Sequence, residues 1–495
     1  MNSTFRTQSQ KVTQLFEGLN PKEIRVVPID FAKESHVARI CFGNGKDLHK
    51  KSFTLKNNAD GIAYLLKRIQ TACSKYHVQK KAVIIGTENP HSYALNFMLQ
   101  LKEKGFTVVE VNASQAKKFR RTDTASNDNL DLDGIANEVI NRRLKDLEKR
   151  DDVYHSLEKS TRLYQAYVKE KSAQKTRIGH IVNILFPGFL DKKKSAVEAF
   201  SDSSIYLMSQ SFSIGKIKRM SPKVLTRKLK EHHTHQPDKV AIKLKELADT
   251  TLAPPKELEL EYSASLEIAI QLYQAQGKAA QAQLQRCAEL LVQTPYVSLL
   301  SIPGMGVVYS SVLAAELKDP STWHSLDQTC AYAGIAPCSQ QTGGENSPAF
   351  STGLNRKANR RLKNALLQSA HLIGMNSHPA RKYHEKFKEH RLQRHYKEVV
   401  LRGGKSGLST ARLLLRIMRP MILSQTPYLP NRNQNLQEDT TSPEELSAYL
   451  EYTFKKMANN LSPFCLKPVK DNRFTAMKKE WQNTFKNLLE VEVTF

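Results

Sequence analysis

No segment of this chain is long and apolar enough to suggest a membrane span. The best run, Ile181 to Leu190, is short and broken at Pro187-Gly188, whereas a span needs roughly 18 apolar residues. The first twenty residues, MNSTFRTQSQKVTQLFEGLN, lack an apolar core and a small-residue cleavage site, so no secretory signal is expected and the chain reads as cytoplasmic. The six cysteines (Cys41, Cys73, Cys287, Cys330, Cys338, Cys465) form no C-x-x-C pair and no zinc-ribbon spacing. That pattern argues against a disulfide framework or structural zinc and leaves them as core or neutral positions. Internal repeats and low-complexity tracts are also missing. Acid is scarce relative to base: 48 Asp and Glu stand against 75 Lys and Arg, a formal charge of +27. Such an excess favours a polyanionic partner, because contacts to phosphate release condensed counterions.

What is present is a foldable chain. Hydrophobic residues make up 40%, charged residues 25% and aromatics 8% of 495 residues, close to ordinary globular usage. At roughly 150 residues per domain, the length suggests about three units.

Residues 25 to 140 alternate strand and helix patterns. Arg25 to Ala32, His36 to Phe42 and Leu48 to Leu55 are short β-rich runs separated by polar or glycine-containing turns, the pattern of a meander. Ala59 to Tyr76 carries Ile62, Leu65, Leu66 and Ile69 on one helical stripe, and Ala82 to Gly86 reads as a buried strand. His91 to Lys104 is a helix by spacing, Phe106 to Val111 a strand, and Asn127 onward a helix with acids in its first turn. The order is βββαβαβα, which is that of RNase H-like folds. From about 141 to 293 the pattern is helical and polar, with breaks at Phe186-Pro187-Gly188 and Ala253-Pro254-Pro255. Tyr262, Leu266, Ala269, Tyr273, Ala280, Cys287 and Leu290 recur at three- and four-residue spacings, with Gln276 and Gln283 on the same stripe. This predicts a helical hairpin or coiled-coil arm.

Metal-assisted cleavage of a phosphodiester needs several carboxylates brought together from different elements. Asp30 lies in the first strand, Glu88 directly follows the fourth, and Asp128 and Asp131 stand at i and i+3 on the last helix. A carboxylate among Val26, Val27 and Ile29 is costly unless it has a partner. The alternative is structural: Glu88 in a loop, and Asp128 and Asp131 as companions of a helix N-terminus. Asp123 and Asp133 compete with the helical pair.

Further on, Ile302-Pro-Gly-Met-Gly306 followed by Val307 to Leu317 has the form of a helix-hairpin-helix, in which Gly304 and Gly306 would turn backbone amides toward DNA phosphate. From Thr352 to Arg419 there are 17 Lys and Arg against 3 Asp and Glu. Arg356, Lys357, Arg360, Arg361 and Lys363 read as phosphate-binding rather than as a merely solvated face. Residues 431–495 carry nine charges of each sign and read as an appended module. Gly403-Gly-Lys-Ser406 is no nucleotide-binding P-loop, since the required glycine upstream is missing. His232, His233 and His235 read as a solvated helix end rather than a metal site.

Taken in order, Ser301-Ile-Pro-Gly-Met-Gly, Ala331-Tyr-Ala-Gly-Ile-Ala-Pro337, Gln341-Thr-Gly-Gly344 and Arg356-Lys-Ala-Asn-Arg-Arg-Leu-Lys363 resemble the C-terminal domain of DEDD transposases. These are the bridge-RNA-guided recombinases of bacterial insertion sequences, with the Piv DNA invertase as a relative. Asp30, Glu88, Asp128 and Asp131 match the RuvC-like acids of that family, so the two halves agree independently over roughly residues 24 to 375. The resemblance implies an α/β RNase H-like (RuvC-like) domain at 22–145, a mostly α-helical linker and coiled-coil arm at 146–293, and an α-helical transposase domain at 294–425. An extension of no familiar type follows at 426–495.

The resemblance further implies that the four acids bind Mg²⁺ (or Mn²⁺) and that a C-terminal serine before Gly-Gly attacks the DNA. Here that place is held by Thr342, ahead of Gly343 and Gly344, and its extra methyl crowds in-line attack. Ser339, Ser347 and Ser351 are neighbouring hydroxyls. The family's Lys-Thr-Asp reads Ser126-Asn127-Asp128. Implied partners are donor and target DNA, a structured guide RNA, and a homodimer or homotetramer, in a bacterial, nucleoid-associated setting. Two other readings stand beside this one: a degenerate transposase that only binds nucleic acid, and a resolvase-like metal-dependent nuclease.

Overall fold

The computed structural model describes residues 19, 23–44, 46, 51–88, 93–117, 128–141, 144–146, 153–209, 212–320, 325–340, 350–354, 358–375, 391–401, 406–428, 443–461 and 479. The chain divides into two compact units. One is built from residues 1–150 and 323–358, the other from 151–322 and 359–495.

The first unit centres on a mixed sheet. Its strands are β1 (Arg25–Phe31), β2 (Ser35–Ala38), β3 (Cys41–Phe42), β4 (Phe53–Lys56), β5 (Val83–Glu88), β6 (Thr107–Val111) and β7 (Leu144–Asp146). The spatial order is β4-β2-β1-β5-β6-β7, with β3 also paired to β1. β1 runs antiparallel to β2 and parallel to β5, which runs parallel to β6. The central strands are buried on both faces, β1 from Arg25 to Ile29 and β5 from Val83 to Thr87, as expected of parallel strands covered by helices. β4 alternates buried and exposed residues, the pattern of an antiparallel edge.

Two cores result from the two-residue period. Val27, Ile29, Val83, Ile85 and Val108 pack with Ile62, Leu65 and Ile69 of helix α1 (Ala59–Lys75) and Phe97, Met98 and Leu101 of α2 (Leu95–Glu103). On the opposite face, Val26, Ile84, Val109 and Val111 pack with Ala116 of the short α3 (Ala113–Ala116) and Ile135, Ala136 and Val139 of α4 (Asp128–Ile140).

The α/β order foreseen from the sequence is present, with the short α3 added and three further differences. The run His36 to Phe42 is divided into β2 and β3, which pair with opposite ends of β1; Arg39 instead donates its backbone N–H to Pro28 O at 3.3 Å. The third run contributes strand only over Phe53–Lys56, and residues 47–50 lie outside the described ones. The three-residue β7, antiparallel to β6, is too short and too polar to have a periodic signature. A separate hairpin in this unit pairs β8 (Pro337–Gln340) with β9 (Phe350–Leu354), with a register irregularity between Cys338 and Ser339.

The second unit is helical. Helix α5 (Val153–Leu185, 33 residues) packs along the 36-residue Lys256–Leu291. The pair is antiparallel: Gln276 donates to Glu170 Oε2 at 3.4 Å and the Lys171 ammonium lies 4.8 Å from the Tyr273 ring centre. Toward one end, Leu266, Ala269 and Ile270 share a core with Ile178, Val182 and Leu185. The stripe read from the sequence is therefore the packed face: Leu266, Ala269, Ala280, Cys287 and Leu290 are buried. Burial pushes the Cys287 thiol up to about 12, consistent with an inert core cysteine.

Between the long helices lie α6 (Lys192–Ser195), α7 (Asp202–Met208), α8 (Ile214–Arg219), α9 (Pro222–Glu231) and α10 (Pro237–Thr250), so that Lys256–Leu291 is α11. They fold over Phe186, Phe189 and Phe212. A 3-10 helix at Pro295–Ser301 then leads to α12 (Val307–Leu317), and after α13 (Leu326–Ala333) of the first unit come α14 (Arg360–Met375), α15 (Arg391–Leu401), α16 (Ser406–Leu423) and α17 (Pro443–Leu461). No helix among the described residues is long and apolar enough to cross a membrane.

Candidate active site

The N-terminal site follows from register. β1 and β5 are aligned through Val26↔Ile84, Pro28↔Gly86 and Ile29↔Thr87. One further residue in that register sets Asp30 beside Glu88, on the same face of neighbouring strands and at their C-terminal ends. Both are half-buried. Neighbouring strands are about 4.8 Å apart, so the backbones of the two acids are near neighbours.

The same face receives α4. At Gly86 a Cβ would lie 2.4 Å from Val139 Cγ2 and 3.3 Å from Ile135 Cγ2, so the absent side chain is what lets the helix settle on the sheet. Gly134 lies against Ala116 O, beyond the end of β6; a Cβ there would be 2.4 Å away. Ile135 and Val139 thus lie over β5, and Gly134 lies over the short α3 that follows β6. The first turn of α4 holds Asp128, which is exposed, and Asp131, which is half-buried. Asp30 and Glu88 therefore share one face and one end of the sheet, the face on which α4 packs. Among the described residues, no three His, Cys, Asp or Glu side chains are gathered closely enough to ligate a single metal ion.

Asp133, the competitor on α4, has a different setting. It forms a buried salt bridge with Arg39 of the β2–β3 connection, with side chains 8% and 5% exposed. A buried acid matched to a guanidinium is a structural pair. The sequence named Asp133 but not its partner, because Arg39 is 94 residues away in a run whose division into two strands had no local signal. His36 was also unforeseen as a buried group. It stands edge-on to Phe31 and Phe97, at 4.6 and 4.9 Å between ring centres, and burial lowers its pKa.

In the second unit, Gly304 has φ +82, and a Cβ on it would come within 2.9 Å of the backbone of Leu372. The Pro-Gly turn is thus packed against α14 of its own chain. Gly306 precedes α12 as its N-cap, with nothing within 4 Å of a built Cβ. Arg360 and Arg361 are exposed and Lys363 half-buried at the start of α14.

That start is fixed by Asn359. Its Oδ1 accepts from Arg361 N at 3.1 Å and Leu362 N at 3.0 Å, while its Nδ2 donates to Glu316 Oε2 at 2.7 Å. Glu316 also faces Arg162 at 3.8 Å, and Glu158 meets both Arg162 (2.6 Å) and Lys318 (3.6 Å). An asparagine just before Arg-Arg-Leu is the N-cap signal that could have located this helix start. Thr342, Gly343, Gly344, Ser347, Arg356 and Lys357 lie outside the described residues; Ser339 and Ser351 are opposite one another in the β8–β9 register.

Two regions match known families. Residues 27–187 match a transposase model of the DEDD type named for IS110, and residues 297–385 match the model described as transposase IS116/IS110/IS902 family. The first span contains Asp30, Glu88, Asp128 and Asp131, and the second contains the turn at Gly304 and the start of α14. An uncharacterized 43.6 kDa protein of insertion element IS110 from Streptomyces coelicolor is 32% identical over 127 residues, covering 25% of this chain and 29% of that relative. Under a third of the relative's length is therefore matched. The class that both models describe is the transposases of insertion elements. The chain belongs to the IS110-type DEDD transposase family.

Proposed function

We propose that this protein is a DNA transposase or site-specific recombinase whose N-terminal sheet is an RNase H-like (RuvC-like) core, with Asp30, Glu88, Asp128 and Asp131 as its acidic set. The carrying observation is the register that aligns Asp30 with Glu88 on the face covered by α4, whose first turn bears the other two acids. These four supply only carboxylate oxygens, the donor type that hard divalent cations such as Mg²⁺ or Mn²⁺ take, and so the residues fit such an ion. When bound, it would offset negative charge at a scissile phosphate.

The chain's own residues do the rest. Thr342 stands where the family has serine; its hydroxyl oxygen would bond to phosphorus as a DNA oxygen departs with a proton, leaving the strand attached to the protein. The basic start of α14, with Arg360, Arg361 and Lys363, holds the backbone without reading sequence. The turn at Gly304 and Gly306 fits a helix-hairpin-helix role in the same grip. Donor and target duplexes, a structured guide RNA and at least two copies complete the reaction, since exchange needs two duplexes held together; the paired α5 and α11 suit a coiled-coil arm.

The test incubates the purified protein, with RNA transcribed from its flanking sequence, on labelled donor DNA and Mg²⁺, followed by a denaturing gel. A covalent protein–DNA adduct is expected, lost in Thr342→Ala and in Asp30→Ala. The extra methyl of Thr342 favours one alternative, a degenerate transposase that only binds nucleic acid, and a further one keeps hydrolysis by the acids with water. Nicking that persists in Thr342→Ala but vanishes in Asp30→Ala would select it, and binding without adduct or nicking would sink both enzymatic readings.

A further inference from the structure

Residues 188–296 fall between the two family matches, and within them α8, α9 and α10 form a small helical module with its own charge pattern. From Ile214 to Lys230 the sequence has Lys and Arg but no Asp or Glu. Leu225, Leu229, Val240, Ala241 and Leu244 are at most 4% exposed and form the module's inner face, so the charged residues are sorted to the other side. Lys218, Arg219, Lys223, Arg227 and Lys230 are all exposed. On α9, Lys223, Arg227 and Lys230 follow i, i+4, i+7 spacing, which makes one stripe. Among the described residues, Arg227 alone of the five has a carboxylate partner, Glu231 at 3.9 Å. An ordinary solvated helix face mixes the two signs, as the start of α11 does with Lys256 beside Glu257, Glu259 and Glu261.

We propose that this stripe is a second nucleic-acid surface, which docks the phosphate backbone of duplex DNA independently of α14. The choice of DNA rests on the proposed function above; the choice of duplex rests on the module itself. Single strands are held by stacking bases on exposed aromatics, and among the described residues of 191–250 no Phe, Tyr or Trp is exposed. Tyr206 is stacked on His232 at 4.0 Å and accepts from Lys228 Nζ at 3.1 Å. At about 1.5 Å per helical residue, Lys223 to Lys230 spans roughly 10 Å, about three phosphate steps along one strand of duplex. Point charges on lysine and arginine at that spacing bind backbone and ignore base identity.

The measurement is fluorescence anisotropy of the full-length protein on a labelled duplex of arbitrary sequence, titrated at several salt concentrations. Each phosphate neutralised contributes about 0.9 to the slope of log affinity against log salt. The variant Lys223→Gln/Arg227→Gln/Lys230→Gln is expected to lower that slope by about 2 to 3 and to weaken binding at low salt at least tenfold, with an unchanged melting temperature. The control Lys256→Gln/Lys278→Gln/Arg286→Gln removes the same charge from exposed positions on α11 and is expected to change the slope by less than about 1. An unchanged slope in the first variant, an equal change in the control, or a loss confined to an RNA duplex would each overturn the proposal. The expected slope change in the variant, together with a wild type that forms no adduct and no nick, would leave this surface standing and sink the proposed activity instead.

Discussion

His36 is fully buried between two phenylalanines, and burial lowers its pKa below the usual histidine value, with the Asn57 side chain opposing in part. The unfolded chain takes up a proton near pH 6.5, while the folded chain resists until lower pH. Between those two values the unfolded state binds more protons, so stability falls as pH drops below about 6.5. His36→Phe, which keeps an aromatic ring in the cluster, is expected to flatten the decline in melting temperature between about pH 7 and pH 5. Parallel declines in wild type and variant would show that His36 does not carry it. The residue-level legibility of the site follows the same physics. Asp30 and Glu88 stood out as candidates because an acid inside or ending an apolar strand conflicts with its surroundings. The Arg39–Asp133 and Asn359–Glu316 pairs did not, since a long-range partner leaves no mark on local periodicity.

At the scale of elements, periodicity performed well where a face is buried and long. The α1 stripe and the α11 stripe are core faces, and α12 spans Val307–Leu317 as its pattern indicates. It was weakest for short strands such as β3 and β7, where two or three residues cannot establish a period. The turn before α12 carries a sharper expectation. Gly304 needs a positive φ and faces the backbone of α14, which cannot yield as a side-chain tip can. Gly304→Ala is expected to cost about 2–4 kcal/mol, combining strain at that φ with overpacking. Gly306→Ala, two residues on at φ −123 and with open space around it, is expected to be neutral within about 0.5 kcal/mol. Chemical denaturation of both variants decides the matter: equal losses, or none, would mean that the turn is not held against α14.

Over the whole molecule, the family resemblance divides the chain in order, at 146, 294 and 426, whereas the compact units draw on separated stretches: 323–358 belongs with 1–150. Hydrophobic pattern reports which face an element buries, not which remote segment covers it, so this interleaving has no signature in the sequence. It places the β8–β9 hairpin in the unit that holds the four acids. Each unit also has its own apolar core, around Leu65 in the first and Leu266 in the second, both at 0% exposure. Units with separate cores can unfold as separate cooperative blocks. Calorimetry of the full chain is accordingly expected to show two transitions. Leu65→Ala and Leu266→Ala each remove a large buried side chain at a cost of about 2–5 kcal/mol, and each should lower a different transition while leaving the other within about a degree or two. A single transition lowered equally by both variants would mean that the crossings of the chain at 150, 322 and 358 bind the two cores into one cooperative block, and that separate unfolding is wrong for this protein.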